Sequence, residues 1–294
     1  MMVTVEFGKP HEGGFSLALG HFDGMHLGHR AILRAAEDKA KELGCLTAIS
    51  TFADNPAGKV PIYAYHDRKF LYSDCGADVC LTLYYSAING MTGREFFAEL
   101  MRLYSPKHLA CGENYTFGSD LLGASELGKL AAEAGVGLTV VPTVYYCGVK
   151  VSSTVIKNYL TTGDMDAARQ MLVVPYHMRG NVVSGDGRGH NIGVPTINLR
   201  YPFGALEPKR GVYGTYTEIG GRRYRSVTNV GPRPTFMQNK PAVETNLIDY
   251  DGGSLLHESA VVYFYRYLRP ISKFTSADDL VARINKDKEW TDLC

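Results

Sequence analysis

FSLALGHFDGMHLGHR, residues Phe15 to Arg30, is the stretch whose reading decides the fold of the first half of the chain. It begins as a short apolar run, Phe15 to Leu19, long enough for one buried strand. Gly20, Gly24 and Gly28 then punctuate a turn that carries His21, Asp23, His26 and His29. From Arg30 the apolar positions Ile32, Ala36, Ala40 and Leu43 recur at helical spacing, and Gly44 ends the run. Strand, glycine turn and helix start make a layout for holding phosphate. The helix start offers unpaired N–H groups at the positive end of its dipole, and glycine lets the backbone come close. His26 and His29 fall on the same side of the first turn. There they could donate to phosphate oxygens and offset charge as an α-phosphate becomes five-coordinate and pyrophosphate leaves. No side-chain nucleophile is required, because this chemistry runs mostly on positioning and electrostatics. Two rival readings stand beside it: histidines that merely cap or pack, and a metal site built from His21, Asp23, His26 and His29. The crowding of those four into nine residues, with no distant ligand cluster, weighs against metal.

Outward from this stretch the first half alternates. Leu46–Phe52, Val79–Tyr85, His108–Cys111 and Leu138–Val141 read as strands, and Asp67–Ser73, Thr92–Leu103 and Ser125–Ala134 as helices. Repeated β-α-β predicts a doubly wound parallel sheet, which binds ligands beyond the carboxyl ends of its strands. At VSSTVIKNYL, residues 151–160, the hydroxyls of Ser152, Ser153 and Thr154 precede a helical pattern. One of them is an N-cap by ordinary helix rules, and together they could hold a triphosphate, with Lys157 one turn on.

Near Val174 to His177 the character changes, which sets domain limits of 1–175 and 176–294. Val212–Ile219, Tyr224–Val230, Ala242–Tyr250 and Ser259–Tyr267 read as strands of an antiparallel barrel or sandwich, closed by a helix over Ser276–Trp290. GDGRGHNIGVPTINL, residues 185–199, is the second chemical signal. Its backbone at Gly185, Gly187, Gly189 and Gly193, leading to Pro195, could cradle phosphates, while the Thr196 hydroxyl and Asn198 amide suit Mg²⁺. The competing reading is a surface hairpin turn.

Composition bounds the rest. The 294 residues are 45% hydrophobic with a formal net charge of +1, so nothing favours nucleic acid or an anionic membrane as partner. No apolar run reaches membrane-span length, and the N-terminus lacks an apolar signal core. Six scattered cysteines without a C-x-x-C pair suit reduced thiols in the cytoplasm.

The quoted stretch resembles the G-x-F-D-G-x-H-x-G-H signature of the nucleotidylyltransferase superfamily in its bacterial FAD synthetase version, matching at Gly20, Phe22, Asp23, Gly24, His26, Gly28 and His29. That resemblance implies an ATP site with both histidines catalytic. VSSTVIK resembles the family's I-S-S-T-x-I-R segment, with Lys157 in the arginine's place, where it keeps charge but loses the bidentate fork. GENYTFG resembles G-x-x-F-x-F-G and makes Asn114 a candidate substrate contact, or an ordinary turn asparagine. TFADNP departs from T-F-D-P-H-P, with Ala53 and Asn55 replacing an acid and an imidazole.

The second half resembles the riboflavin kinase domain through P-T-x-N at Pro195–Asn198, GVYG, NVGPRPTF and VETNLIDY in order. By that resemblance Thr196 and Asn198 would hold Mg²⁺-ATP, and Glu244 would be general base for the ribityl 5′-hydroxyl. Arg233 would contact phosphate or pair with a surface acid, and Arg269 belongs to a substrate-facing R-x-E-x-x-F segment. His190, His257 and Ile271 depart from the pattern. The implied whole is an α/β doubly wound nucleotidylyltransferase domain followed by a riboflavin kinase β-barrel with a C-terminal helix. It would take ATP and riboflavin, with FMN as intermediate and FAD as product. The departures keep open a paralogue with one working half, or a flavin- or nucleotide-binding regulator.

Overall fold

Near-continuous burial marks the central strands of the first half. In the computed structural model, which describes residues 2–11, 14–54, 58–184, 196–200, 204–232, 241–272 and 277–290, the chain divides into two units between Val155 and Ile156. The first unit runs β1 (Val3–Glu6), β2 (Phe15–Ala18), α1 (Leu27–Leu43), β3 (Leu46–Phe52), α2 (Tyr65–Asp74) and β4 (Val79–Leu83). It continues with α3 (Tyr85–Ile88), α4 (Gly93–Tyr104), β5 (His108–Gly112), a hairpin of β6 (Thr116–Phe117) and β7 (Leu122–Gly123), α5 (Ala124–Glu133) and β8 (Gly137–Val141). A second hairpin, β9 (Tyr145–Tyr146) and β10 (Val149–Lys150), precedes α6 (Ser153–Thr162).

Every residue of β2 and β4 is buried, the pattern of parallel strands covered on both faces. The sheet order is β1-β4-β3-β2-β5-β8, with all neighbours parallel. From β2 the chain winds outward through β3 and β4 on one side and through β5 and β8 on the other. The order therefore reverses between β2 and β5, and ligand crevices of such sheets open beyond the carboxyl ends of those strands. β2 runs into the histidine turn there, and β5 ends at Gly112, just before Asn114.

Local chemistry moves several predicted boundaries. α1 starts at Leu27 rather than Arg30 because His26 is its N-cap, and it ends on Gly44 in the left-handed region at φ 56°. Thr92 and Glu95 form a reciprocal capping box for α4. The strand expected over Val79–Tyr85 stops at Leu83, since the Asp54 carboxylate accepts the N–H groups of Tyr85 (2.6 Å) and Ser86 (2.9 Å) and starts α3. β1 was not expected from its four residues; pairing with β4 at the sheet edge makes it a strand.

The second unit takes α7 (Met165–Met171), β11 (His177–Val183), β12 (Thr196–Arg200), β13 (Gly211–Ile219), β14 (Arg222–Pro232), β15 (Pro241–Leu247), β16 (Ser259–Arg269) and α8 (Ala277–Lys288). The strands close as an antiparallel barrel, β11-β12-β15-β14-β13-β16, which decides between barrel and sandwich. Register shifts between β13 and β16 at Val212/Tyr213 and Gly214/Thr215 supply curvature. Along the strands a set of fully buried hydroxyls satisfies itself: Thr215 with Ser226 and Thr228 at 2.8 Å, and Thr228 with Thr245 at 2.9 Å. Trp290 lies against Gly214, where an added Cβ would come within 2.3 Å of the indole, and its Nε1–H donates to Ser226 O. The buried Asp287 carboxylate accepts from Arg269 (Nη2, 2.7 Å), fixing α8 to the end of β16, and forms an ion pair with Arg283 on its own helix at 3.2 Å.

Candidate functional site

In the first unit, the Leu27 helix start brings His26 and His29 together as adjacent, nearly parallel rings with centroids 3.5 Å apart. His26 Nδ1 accepts the backbone N–H of His29 at 3.1 Å, so capping and pairing are one arrangement. With Nδ1 an acceptor, the neutral His26 ring carries its proton on Nε2 and presents a donor there. His29 Nδ1 faces the Gly24 carbonyl, an acceptor only, so it is the protonated nitrogen of that ring. Gly28 gives the His26 ring room: an added Cβ would sit 3.2 Å from His26 Cε1, a tight contact. Gly20 and Gly24 are confined likewise, by the Phe22 ring and Ile62.

Burial, and then the neighbouring His29, pushes His26 down to about 2 from the ordinary 6.5. The unfolded chain takes up a proton near pH 6.5 that the folded ring refuses, so the unfolded state binds more protons and stability falls with pH below that value. The expected slope is about 1.4 kcal/mol per pH unit from this group alone. Urea unfolding of the first unit at pH 7 and pH 5 measures it, and His26→Asn should flatten the dependence. Equal slopes in the two proteins would remove His26 as the cause.

Asp23, also buried, accepts the Ser153 hydroxyl, tying the histidine turn to the start of α6. Ser152 Oγ accepts the Val155 N–H at 3.4 Å and caps that helix, while Thr154 is exposed. Lys157 lies one turn further along the same helix. Asn114 is exposed after β5, with its amide donating to Thr143 Oγ1 at 2.9 Å. Ala53 is followed by Asp54, whose carboxylate burial would raise but the N–H groups of Ser86 and Tyr85 hold below its ordinary value. Asn55 lies outside the described residues. Among the described residues no group of three or more His, Cys, Asp or Glu side chains is placed to hold a metal ion.

Sequence reading missed what supports the turn from behind. Thr51 Oγ1 donates to His21 O at 2.8 Å, Tyr72 O–H donates to Phe22 O, and the fully buried Arg68 reaches both Thr51 and the Phe52 carbonyl. Arg68 sits in a weakly patterned helix with nothing in its spacing to mark it, so only burial reveals it.

In the second unit, register collects the predicted residues. Asn198 on β12 stands opposite Glu244 on β15, and Thr196 stands opposite Asn246. Residues directly opposed across a ladder, and those two apart along a strand, share a face, so Thr196, Asn198, Glu244 and Asn246 form one polar patch. Asn229 on β14, opposite Glu244 on its other side, extends it. Asn198 is buried and Glu244 half-buried, a setting of hydroxyl, amide and carboxylate oxygens suited to a hard cation and to proton acceptance. Arg269, expected at substrate, donates to the Asp287 carboxylate. Ile271 is 45% exposed and lies against Gly231. His257 adopts φ 72°, the left-handed conformation that glycine takes without strain. Gly185, Gly187, Gly189, His190, Gly193, Pro195 and Arg233 lie outside the described residues.

Comparison with known proteins agrees in order with these two units. A family model described as FAD synthetase matches residues 9–155, and one described as riboflavin kinase matches residues 172–293. The chain is 28% identical to a bifunctional riboflavin kinase/FMN adenylyltransferase of Bacillus subtilis, over 98% of this chain and 96% of the relative. It is 30% identical to the protein of the same name from Haemophilus influenzae, over 94% and 92%. A crystal structure described as a macrolide-efflux protein from Streptococcus pneumoniae superposes with a TM-score of 0.87 at 28% identity, over 99% of this chain and 100% of the other. Among the described residues of the present chain no helix is long and apolar enough to cross a membrane.

Proposed function

The chain belongs to the bifunctional riboflavin kinase/FMN adenylyltransferase family, and from that premise we propose which residues carry each of its two reactions. It is a transferase that phosphorylates riboflavin to FMN and adenylylates FMN to FAD, with ATP as donor in both steps. The observation that carries the assignment is the pair of separate polar sites, one at the switch point of a parallel sheet and one on a barrel ladder.

For adenylyl transfer, FMN phosphate attacks the α-phosphorus of ATP and pyrophosphate departs. His26, through Nε2–H, and His29 stabilise the five-coordinate phosphorus and the leaving group, and no protein nucleophile is involved. The turn at Gly20, Phe22, Asp23, Gly24 and Gly28 admits the polyphosphate, and Ser152, Ser153, Thr154 and Lys157 hold it from the second helix start. Asn114 orients substrate from the loop after β5.

For riboflavin phosphorylation, Glu244 accepts the proton of the ribityl 5′-hydroxyl as its oxygen attacks the γ-phosphorus and ADP leaves. Thr196 and Asn198 would hold Mg²⁺, which supplies charge neutralisation on the phosphates. The glycines at 185, 187, 189 and 193, with Pro195 and Arg233, belong to the ATP and phosphate contacts, and Arg269 to the substrate side. The boundary between the two domains in the sequence is assigned near residue 175, and the enzyme works in the cytoplasm on ATP and free flavins.

Incubation of the protein with riboflavin, ATP and Mg²⁺, followed by chromatographic separation of flavins, tests the whole reading. FMN and then FAD are expected. Absence of both products would end it.

A further inference from the structure

Behind the histidine turn lies a cation that the reaction as written does not use. Arg68 on α2 has no solvent exposure and heads the fully buried side chains by volume. Its Nη1 donates to Thr51 Oγ1 at 2.9 Å and to His21 O at 3.5 Å, and its Nη2 donates to Phe52 O at 2.8 Å. Its Nε is buried without a hydrogen-bond partner. Its three hydrogen bonds all run to uncharged oxygens, and the buried Asp23 shares with it an electrostatic influence on the Tyr72 hydroxyl. A guanidinium keeps its charge at any physiological pH, and a desolvated charge without a counter-ion is costly unless something offsets it.

Besides the Phe52 carbonyl, the contacts of this layer act on two successive peptides of the turn. Arg68 and Thr51 draw the His21 carbonyl inward, and Tyr72 draws in the Phe22 carbonyl. A trans peptide is planar, with its C=O and N–H pointing in opposite senses. The N–H groups of Phe22 and Asp23 are therefore turned away from the Arg68 layer. Phe22 has φ 46°, a left-handed conformation of the kind that lines up successive N–H groups into an anion-binding concavity. This row stands beyond the carboxyl end of β2, where the sheet places its ligand.

We propose that Arg68 is a positioning residue for adenylyl transfer: it fixes the turn so that its N–H groups meet the nucleotide, and the nucleotide's polyphosphate is the anion that offsets its buried charge. This rests on assigning adenylyl transfer to the first unit. The charge does not touch the reacting atoms; it acts through the backbone and through the local potential.

The test is steady-state FMN adenylylation with ATP varied, for the wild type, R68Q and R68K, with riboflavin phosphorylation followed in the same preparations. R68Q should raise the KM for ATP about 10- to 100-fold, the range of a lost charge-assisted interaction, and leave riboflavin phosphorylation within about 2-fold. R68K, which keeps the charge without the fork, should lie within about 5-fold of wild type. A merely structural arginine would lower kcat and stability without moving the KM for ATP, and lysine would not rescue it. An ATP KM in R68Q within about 2-fold of wild type overturns the proposal, as does R68K impaired as severely as R68Q. Should R68Q not fold, T51V takes its place by deleting the hydroxyl between Arg68 and His21. It is expected to raise the same KM about 5-fold, and an unchanged value overturns the proposal. Wild-type protein that makes no FAD from FMN and ATP would instead refute the activity assigned to the first unit.

Discussion

His29→Ala is expected to lower FAD formation from FMN and ATP by about 10²- to 10³-fold, the usual cost of deleting a preorganised donor to a developing oxyanion. The size follows from how the ring is held. Its Nδ1 is committed to the Gly24 carbonyl, so the proposed contact with phosphate would run through Nε2, and the alanine has no group to replace it. Packing against His26 and Phe22, with centroids at 3.5 and 4.8 Å, sets the angle of that nitrogen before substrate arrives. The loss should appear mainly in kcat, because the interaction grows as charge develops on the phosphorus. FMN formation from riboflavin in the same tube serves as the control and should stay within about 2-fold, since the residues proposed for it belong to the other unit. FAD formation within about 5-fold of wild type would remove His29 from the reaction.

Glu244→Gln should have the reverse profile. FMN formation is expected to fall about 10²- to 10⁴-fold, the contribution of a general base, while FAD formation from supplied FMN is retained. Glutamine keeps the shape and one acceptor oxygen, so the ladder with Asn198 and Asn229 survives and only the proton-accepting charge is lost. The measurement is initial-rate flavin analysis with riboflavin, then with FMN, as substrate. Undiminished FMN formation would return Glu244 to an ordinary half-buried strand residue. Parallel loss of both activities would point to damage beyond the barrel ladder.

Read alone, the chain already determined a great deal. Glycine spacing, apolar runs and a helical period after Arg30 define a β-α-β start, because these features depend on neighbours a few residues apart. The switch to Val, Thr and Tyr after His177 likewise marks an antiparallel half, and P-T-x-N beside V-E-T-N-L is visible as text. Tertiary structure decided what depends on distant partners. β1 is a strand because β4 lies beside it, and the Val79 strand ends at Leu83 because Asp54 captures the next two N–H groups. Barrel closure needs β16 to pair with both β11 and β13, which no local pattern encodes. The ladder between Asn198 and Glu244 spans residues 46 positions apart in sequence, and Asp23 meets Ser153 across 130. Arg68 is the clearest case: charged residues in helices ordinarily face water, and only the fold turns this one inward beneath the histidines.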